Sequence, residues 1–316
     1  MSSEILLAAH GLVVRYGNVE AVRGIDLEVR RSEVVGLIGP DGAGKTSTLR
    51  VLAGLMRASG GEAEAFGGDC WRGRRALHHR LGYLAQRFAL YGDLTVDENI
   101  EFFALMYGVP QWKKRRSELL ELVGLGPFSA RQADRLSGGM KQKLALACTL
   151  IHSPEMLILD EPTTGVDPVT RREFWRLLAD LVGRGLTLLV ATPYLDEAER
   201  CTRVLLMSDG RILADARPQE IPERMPGAIV EVVAAQRSKA VDALTARAEV
   251  ADVSVFGNAL HARVEGVDDP AAVVLEALSA SGVEAPEVRR IPSSLEDAFL
   301  YLTRSAAHAT AMEDSS

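Results

Sequence analysis

The chain has 316 residues, 47% of them hydrophobic and 25% charged, which suits one large or two moderate globular domains. Its formal net charge of −7 argues against binding nucleic acid by bulk attraction, so no nucleic-acid partner is expected. No apolar run reaches the ~18 residues needed to cross a bilayer, and any membrane role is expected to come through a partner.

Met1-Ser2-Ser3-Glu4 lacks the basic and apolar regions of a signal peptide. Cys70, Cys148 and Cys201 are too widely spaced for a disulfide framework or a metal pair. A reducing, cytoplasmic setting is the expectation. Residues 5–16 and 21–30 read as two edge strands; in the second, Ile25, Leu27 and Val29 alternate with Asp26, Glu28 and Arg30. Tyr16 ends the first. By itself it reads as a core or turn residue, and only its place upstream of the next motif raises it.

Val34-Val35-Gly36-Leu37-Ile38 reads as a buried strand, followed by Gly39-Pro40-Asp41-Gly42-Ala43-Gly44-Lys45-Thr46-Ser47. The pattern G-x-x-x-x-G-K-[ST] between a strand and a helix describes a phosphate-holding loop. The glycines let the backbone wrap and turn its N–H groups inward, Lys45 reaches outer phosphates, and the Thr46 hydroxyl suits magnesium. The following helix aims its positive end at the same point. A nucleoside triphosphate with Mg2+ is thus expected, although the loop alone leaves kinases, GTPases and ATPases open.

Leu81-Gly82-Tyr83-Leu84-Ala85-Gln86 reads as a strand ending in glutamine. Strand character is then lost over 95–152, where Leu119, Leu120 and Val123 share one helical face and the basic run Lys113–Arg116 solvates the other. Ser137 caps a helix that begins Gly138-Gly139 and whose inner face is Leu144, Ala147, Cys148 and Ile151. Met156-Leu157-Ile158-Leu159 is a buried strand closing on Asp160-Glu161. Burying two acids is costly, so they point to chemistry: one to hold magnesium, one to activate water. A helix over 169–182, a strand over 186–192, a helix from about Leu195 and a hairpin at Asp209-Gly210 complete a parallel α/β pattern.

Pro218, Pro222, Pro226 and Gly227 mark a linker. Beyond it the order is strand (228–235), helix (237–247), two strands around Gly257-Asn258, helix (270–281) and strand (286–291), a ferredoxin-like α+β domain. A last helix runs from Ser294 to about Thr303, His261 reads as packing or surface, and a small polar tail over 305–316 reads as disordered.

Leu136-Ser137-Gly138-Gly139-Met140-Lys141-Gln142 resembles the signature of ABC-type ATPases, and other pieces follow in the family's order. Tyr16 falls at the adenine-stacking position, Gln86 at the glutamine loop, Asp160 and Glu161 at the magnesium acid and catalytic base, and Thr164-Gly165-Val166-Asp167 just beyond. The resemblance covers 5–216; Pro292-Ser293-Ser294-Leu295-Glu296-Asp297-Ala298-Phe299 extends it to the C-terminal extension of bacterial drug-resistance exporter ATPases. The chain looks most similar to the first ATPase half of exporters that carry two.

The resemblance implies a P-loop ABC ATPase domain over 1–217, with a mixed sheet, an antiparallel edge and a helical subdomain at about 87–152. A ferredoxin-like extension would occupy 218–304. It further implies Mg-ATP held by Lys45, Thr46 and Asp160, with Gln86 touching magnesium and water and Glu161 acting on the water. Ser137, Gly138 and Gly139 would serve the ATP of a second, identical or different ATPase subunit. Membrane permease subunits would dock after Gln86, at Arg87–Tyr91, on the cytoplasmic face of the membrane.

Two positions depart from the family. Thr192-Pro193-Tyr194 stands where a γ-phosphate-sensing histidine is expected, and proline offers neither a side-chain donor nor an N–H. Slow hydrolysis at this chain's own site is one expectation, and modest turnover supported by Glu161 and Gln86 the other. Asp41 replaces a common asparagine and is expected to turn outward. Competing classes are a nearly silent regulatory half, a non-transport ABC ATPase and an importer ATPase. The absence of a second ATPase half or a long coiled-coil insertion counts against the non-transport class.

Overall fold

The computed structural model describes residues 4–86, 90–284 and 287–313. The chain forms two compact units, Met1–Arg217 and Pro218–Ser316.

At the centre of the first unit lie strand runs that are apolar on both faces. β1 (Ile5–Tyr16), β2 (Val19–Arg30), β3 (Val34–Ile38), β4 (Gly60–Ala65), β5 (Gly68–Asp69) and β6 (Leu81–Leu84) precede β7 (Met156–Asp160), β8 (Thr187–Thr192), β9 (Arg203–Ser208) and β10 (Arg211–Ala216). The central sheet runs β10-β9-β3-β8-β7-β6, parallel throughout except for the antiparallel edge strand β10. Every residue of β3, β7 and β8 is buried, as a parallel sheet covered on both faces requires.

The two N-terminal strands do not edge this sheet. They build a separate antiparallel sheet, β2-β1-β4-β5, because their alternation leaves one apolar face to bury. That face meets α1 (Lys45–Leu52), and one apolar cluster runs from Leu12 and Val14 through Leu49 and Leu52 to Leu37 and Leu205.

α2 (Arg74–Arg80) leads into β6, and three further helices precede β7: α3 (Val96–Met106), α4 (Trp112–Val123) and α5 (Gly138–Leu150). Thr95 starts α3 with a reciprocal capping box to Glu98. The basic run on α4 does more than solvate a helix: Arg116 makes a two-pronged pair with Asp97 of α3 at 2.8 and 2.5 Å. Leu144, Ala147, Cys148 and Ile151 are buried. α6 (Pro168–Gly183) and the short α7 (Leu195–Ala198) flank β8.

In the second unit β11 (Ala228–Val233), α9 (Arg237–Thr245), β12 (Val250–Phe256), β13 (Ala259–Val264), α10 (Pro270–Ala280) and β14 (Glu287–Ile291) follow the short α8 (Glu220–Glu223). The sheet order β12-β13-β11-β14, antiparallel at every pairing, is the ferredoxin-like arrangement. Period-two alternation divides β13: Leu260, Ala262 and Val264 join the core, whereas His261 and Arg263 face the other way. α11 (Leu295–Glu313) is tied to those two residues: His261 Nδ1 lies 2.7 Å from Asp297 Oδ1, and the Arg263 guanidinium lies 4.7 Å from the Tyr301 ring. His261 also stacks on Phe256 at 4.0 Å.

The expected linker and the expected C-terminal tail both hold helix. The stretch 218–227 holds α8, with Ile221 and Met225 buried; Pro222 sits within the first turn, where no helical N–H is lost. Of the stretch 305–316 expected as a disordered tail, 305–313 continues α11, as its alanine-rich run favours, and 314–316 lie outside the described residues. Asp297 also closes the start of α11, accepting from the Ser294 N–H at 2.9 Å and its hydroxyl at 2.6 Å. Asp297→Ala removes the reciprocal half of the cap, the bonds from Ser294, and the buried partner of His261 together, and should cost about 2–3 kcal/mol. Chemical denaturation, with amide exchange across α11, measures this; unchanged exchange there would show that Asp297 does not hold the helix.

Candidate nucleotide site

Strand order decides where the site forms. Because β8 lies between β3 and β7, the ends Ile38, Thr192 and Asp160 meet at one edge: Ile38 pairs Thr192, and Ala191 pairs Asp160. Open α/β sheets bind ligands beyond such carboxyl ends.

The loop after β3 is packed from below. A Cβ on Gly39 would stand 2.1 Å from the Met207 carbonyl oxygen, and Gly44, at φ +103°, would place one 2.4 Å from the Ala21 carbonyl. Hydrogen bonds from the Gly39 N–H to Thr192 O (3.4 Å) and from the Gly210 N–H to Ala43 O (3.0 Å) fix its two ends. Lys45 is buried, donating to the carbonyls of Gly39 (2.8 Å) and Pro40 (3.0 Å), with Glu161 Oε1 at 3.5 Å. Asp41 and Gly42 are exposed at the rim.

Across the cleft, Asp160 accepts from the Thr46 hydroxyl at 2.9 Å and from the Tyr83 hydroxyl at 3.1 Å. Burial pushes the Asp160 carboxyl above its ordinary range, while the bonds from Thr46 and Tyr83 pull it down. Gln86 donates to Glu161 Oε2 at 2.7 Å, and the Thr164 hydroxyl reaches the same oxygen at 3.3 Å. Glu161 sits at φ +50°, a left-handed conformation costing about 1–3 kcal/mol for a residue with a side chain. Its own N–H donates to Ala191 O at 2.9 Å and pins it to β8. Gln86 lies two residues past the end of β6 and not within it.

Tyr16 is 47% exposed, with its hydroxyl 3.2 Å from Ser47 Oγ and 3.3 Å from Met56 Sδ, so its ring stands free beside the loop. Lys45, Thr46, Ser47, Gln86 and Glu161 line one cleft; Ser137, Gly138 and Gly139 are not among its lining residues. Ser137 instead caps α5 through the Met140 N–H at 3.3 Å, and a Cβ on Gly139 would meet Thr170 Cγ2 at 2.3 Å. Pro193 is half-buried and also outside that lining. Of the segment after Gln86, Arg87, Phe88 and Ala89 lie outside the described residues, and Tyr91 is exposed.

Tyr83 was missed. The signal lay in its position three residues before Gln86, but nothing local distinguished it from a core aromatic. Among the described residues no cluster of three or more His, Cys, Asp or Glu could cage a metal ion. The convergent Thr46 and Asp160 oxygens nevertheless fit magnesium, which takes one or two protein oxygens and fills its shell with phosphate and water.

The ABC transporter family profile matches residues 22–164. Daunorubicin resistance ATP-binding protein DrrA3 of Streptomyces coeruleorubidus is 36% identical over 307 residues, covering 95% of this chain and 96% of that protein. The chain belongs to the ABC transporter ATP-binding proteins. The probable multidrug ABC transporter ATP-binding protein YbhF of Escherichia coli strain K12 is 44% identical over 229 residues, 71% of this chain. The chain spans only 40% of the length of YbhF. Among solved structures, cbiO1 from Clostridium perfringens, part of the ABC transporter complex cbiONQ, superposes with a TM-score of 0.64 at 27% identity, over 70% of this chain and 92% of that one. No helix among the described residues of this ABC chain is long and apolar enough to cross a membrane.

Gly39→Ala forces a methyl group against the Met207 carbonyl and must shift the loop. We expect a loss of about 1–3 kcal/mol in stability and at least about tenfold in ATP affinity. Titration with a fluorescent ATP analogue reads the second quantity, and wild-type affinity in this variant would contradict the packing described.

Proposed function

We propose that this chain is the ATP-binding motor subunit of an ABC exporter, dimerising around ATP and driving separate membrane permease subunits from the cytoplasmic face. The carrying observation is that Lys45, Thr46, Gln86 and Glu161 line one cleft, with Asp160 bonded to Thr46 behind it, while the Ser137–Gly139 helix start is not part of it. A triphosphate would draw the Lys45 ammonium from the Gly39 and Pro40 carbonyls to its outer oxygens, aided by the loop N–H groups and the start of α1. Thr46 and Asp160 would hold magnesium, whose charge offsets that of the phosphates. Tyr16 would stack on the adenine. Glu161, steadied by Gln86 and Thr164, would orient the attacking water and accept its proton. Ser137, Gly138 and Gly139 would complete the site of a second ATPase subunit. Support for export comes from relatives named for drug resistance, matched along nearly the whole chain.

Pro193 favours a second reading, a nearly silent half that pairs with a competent partner. Nothing at its position donates to a γ-phosphate. The ATPase activity of the purified chain, alone and with its membrane subunits, tests both readings. Glu161→Gln should keep ATP binding and lose hydrolysis. Pro193→His should raise hydrolysis by about 10²-fold, the usual worth of one positioned donor. Equal turnover in wild type and Pro193→His would remove the weakened-site reading; full activity in Glu161→Gln would remove Glu161 as the base.

A further inference from the structure

Glu197 is an acid that the site does not use, yet it is only 1% exposed. Its Oε1 accepts a 2.6 Å hydrogen bond from the hydroxyl of Thr163, which is equally buried. Arg171 Nε stands 3.9 Å from the same oxygen, and Oε2 is buried without a hydrogen-bond partner. A carboxylate in such a place is costly to bury, and a left-over acceptor makes it costlier.

The two residues so joined belong to two turns that meet beside the cleft. Thr163 lies two residues after Glu161, in a turn closed by the Thr164 N–H to Glu161 O (3.2 Å) and the Val166 N–H to Thr163 O (3.1 Å). That turn ends at Asp167, the N-cap of α6. Glu197 lies four residues after Pro193, and its N–H donates to Tyr194 O at 3.2 Å. Arg171 strengthens the junction, donating to Asp196 Oδ2 at 3.3 Å with its guanidinium 4.5 Å from the Tyr194 ring. Pro193 itself has neither N–H nor side-chain donor, so the tie between the turns rests on Glu197, Thr163 and Arg171.

We infer that Glu197 is a positioning residue: through Thr163 it clamps the loop Glu161–Asp167 to the turn Pro193–Ala198, holding Glu161 in its left-handed conformation. Its catalytic consequence rests on the ATPase reading above. Because the loop leaves β7 in a conformation unfavourable for a glutamate, only an external tie keeps it there. The Thr163–Glu197 bond adds such a tie to the Glu161 N–H bond to Ala191 O and to the Gln86 and Lys45 contacts.

Truncating Glu197 would open a buried hole, so the test uses Thr163. Thr163→Val keeps the shape and removes the donor; Thr163→Ser restores the hydroxyl. In Thr163→Val, amide exchange should quicken in 161–167 and 193–198. ATP affinity and KM should stay within about twofold, and kcat should fall by about tenfold to 10²-fold, the range expected for a displaced group. Thr163→Ser should return exchange and kcat to wild type. Unchanged exchange in Thr163→Val, a fall in kcat that serine does not rescue, or a rise in KM with kcat intact would each overturn the clamp. Absence of hydrolysis in the wild type would overturn the motor reading instead, leaving amide exchange to decide the clamp.

Discussion

Two carboxylates at the end of one buried strand, Asp160 and Glu161, set the terms for the first unit. Neither has water enough to solvate it, at 1% and 8% exposure, so each needs donors from the protein. Thr46 and Tyr83 serve Asp160; Gln86, Thr164 and Lys45 serve Glu161. These donors come from α1, β6 and the segments after β6 and β7. The strand order β3-β8-β7-β6 brings them together, because it lines up the strand ends from which they start.

The same constraint explains why the loop after β3 is so closely packed. Phosphate-binding N–H groups work only if the backbone is already aimed, which avoids ordering it when ligand arrives. Gly39 against Met207 and Gly44 against Ala21 leave the loop no other course. Lys45, meanwhile, is held by carbonyls of its own loop.

The second unit solves a different problem. Its sheet buries one apolar face beneath α9 and α10, while α11 is secured through a few polar pairs, His261–Asp297 chief among them. Asp297 accepts both a helix-capping hydrogen bond and the histidine, so one side chain fixes where α11 begins and what it touches.

The sequence by itself determined whatever depends on near neighbours. The glycine spacing around Lys45, the continuous apolar runs of β3 and β7, the Ser137 cap and the βαββαβ order are local patterns with local causes. Even Asp160-Glu161 announced itself, since two acids after an apolar strand are costly without a task. Other features depend on distant partners and left no local mark. Tyr83 reads as a core aromatic until Asp160 stands beside it, Arg116 as a solvated cation until Asp97 meets it, and Glu197 as a surface acid until Thr163 buries it. The left-handed backbone of Glu161 cannot be read from its residue type, which disfavours it; only the packed turns on either side impose it. Helix and strand periods show which way a residue faces, but the charge or hydroxyl it will meet is chosen by the order in which the strands are laid side by side.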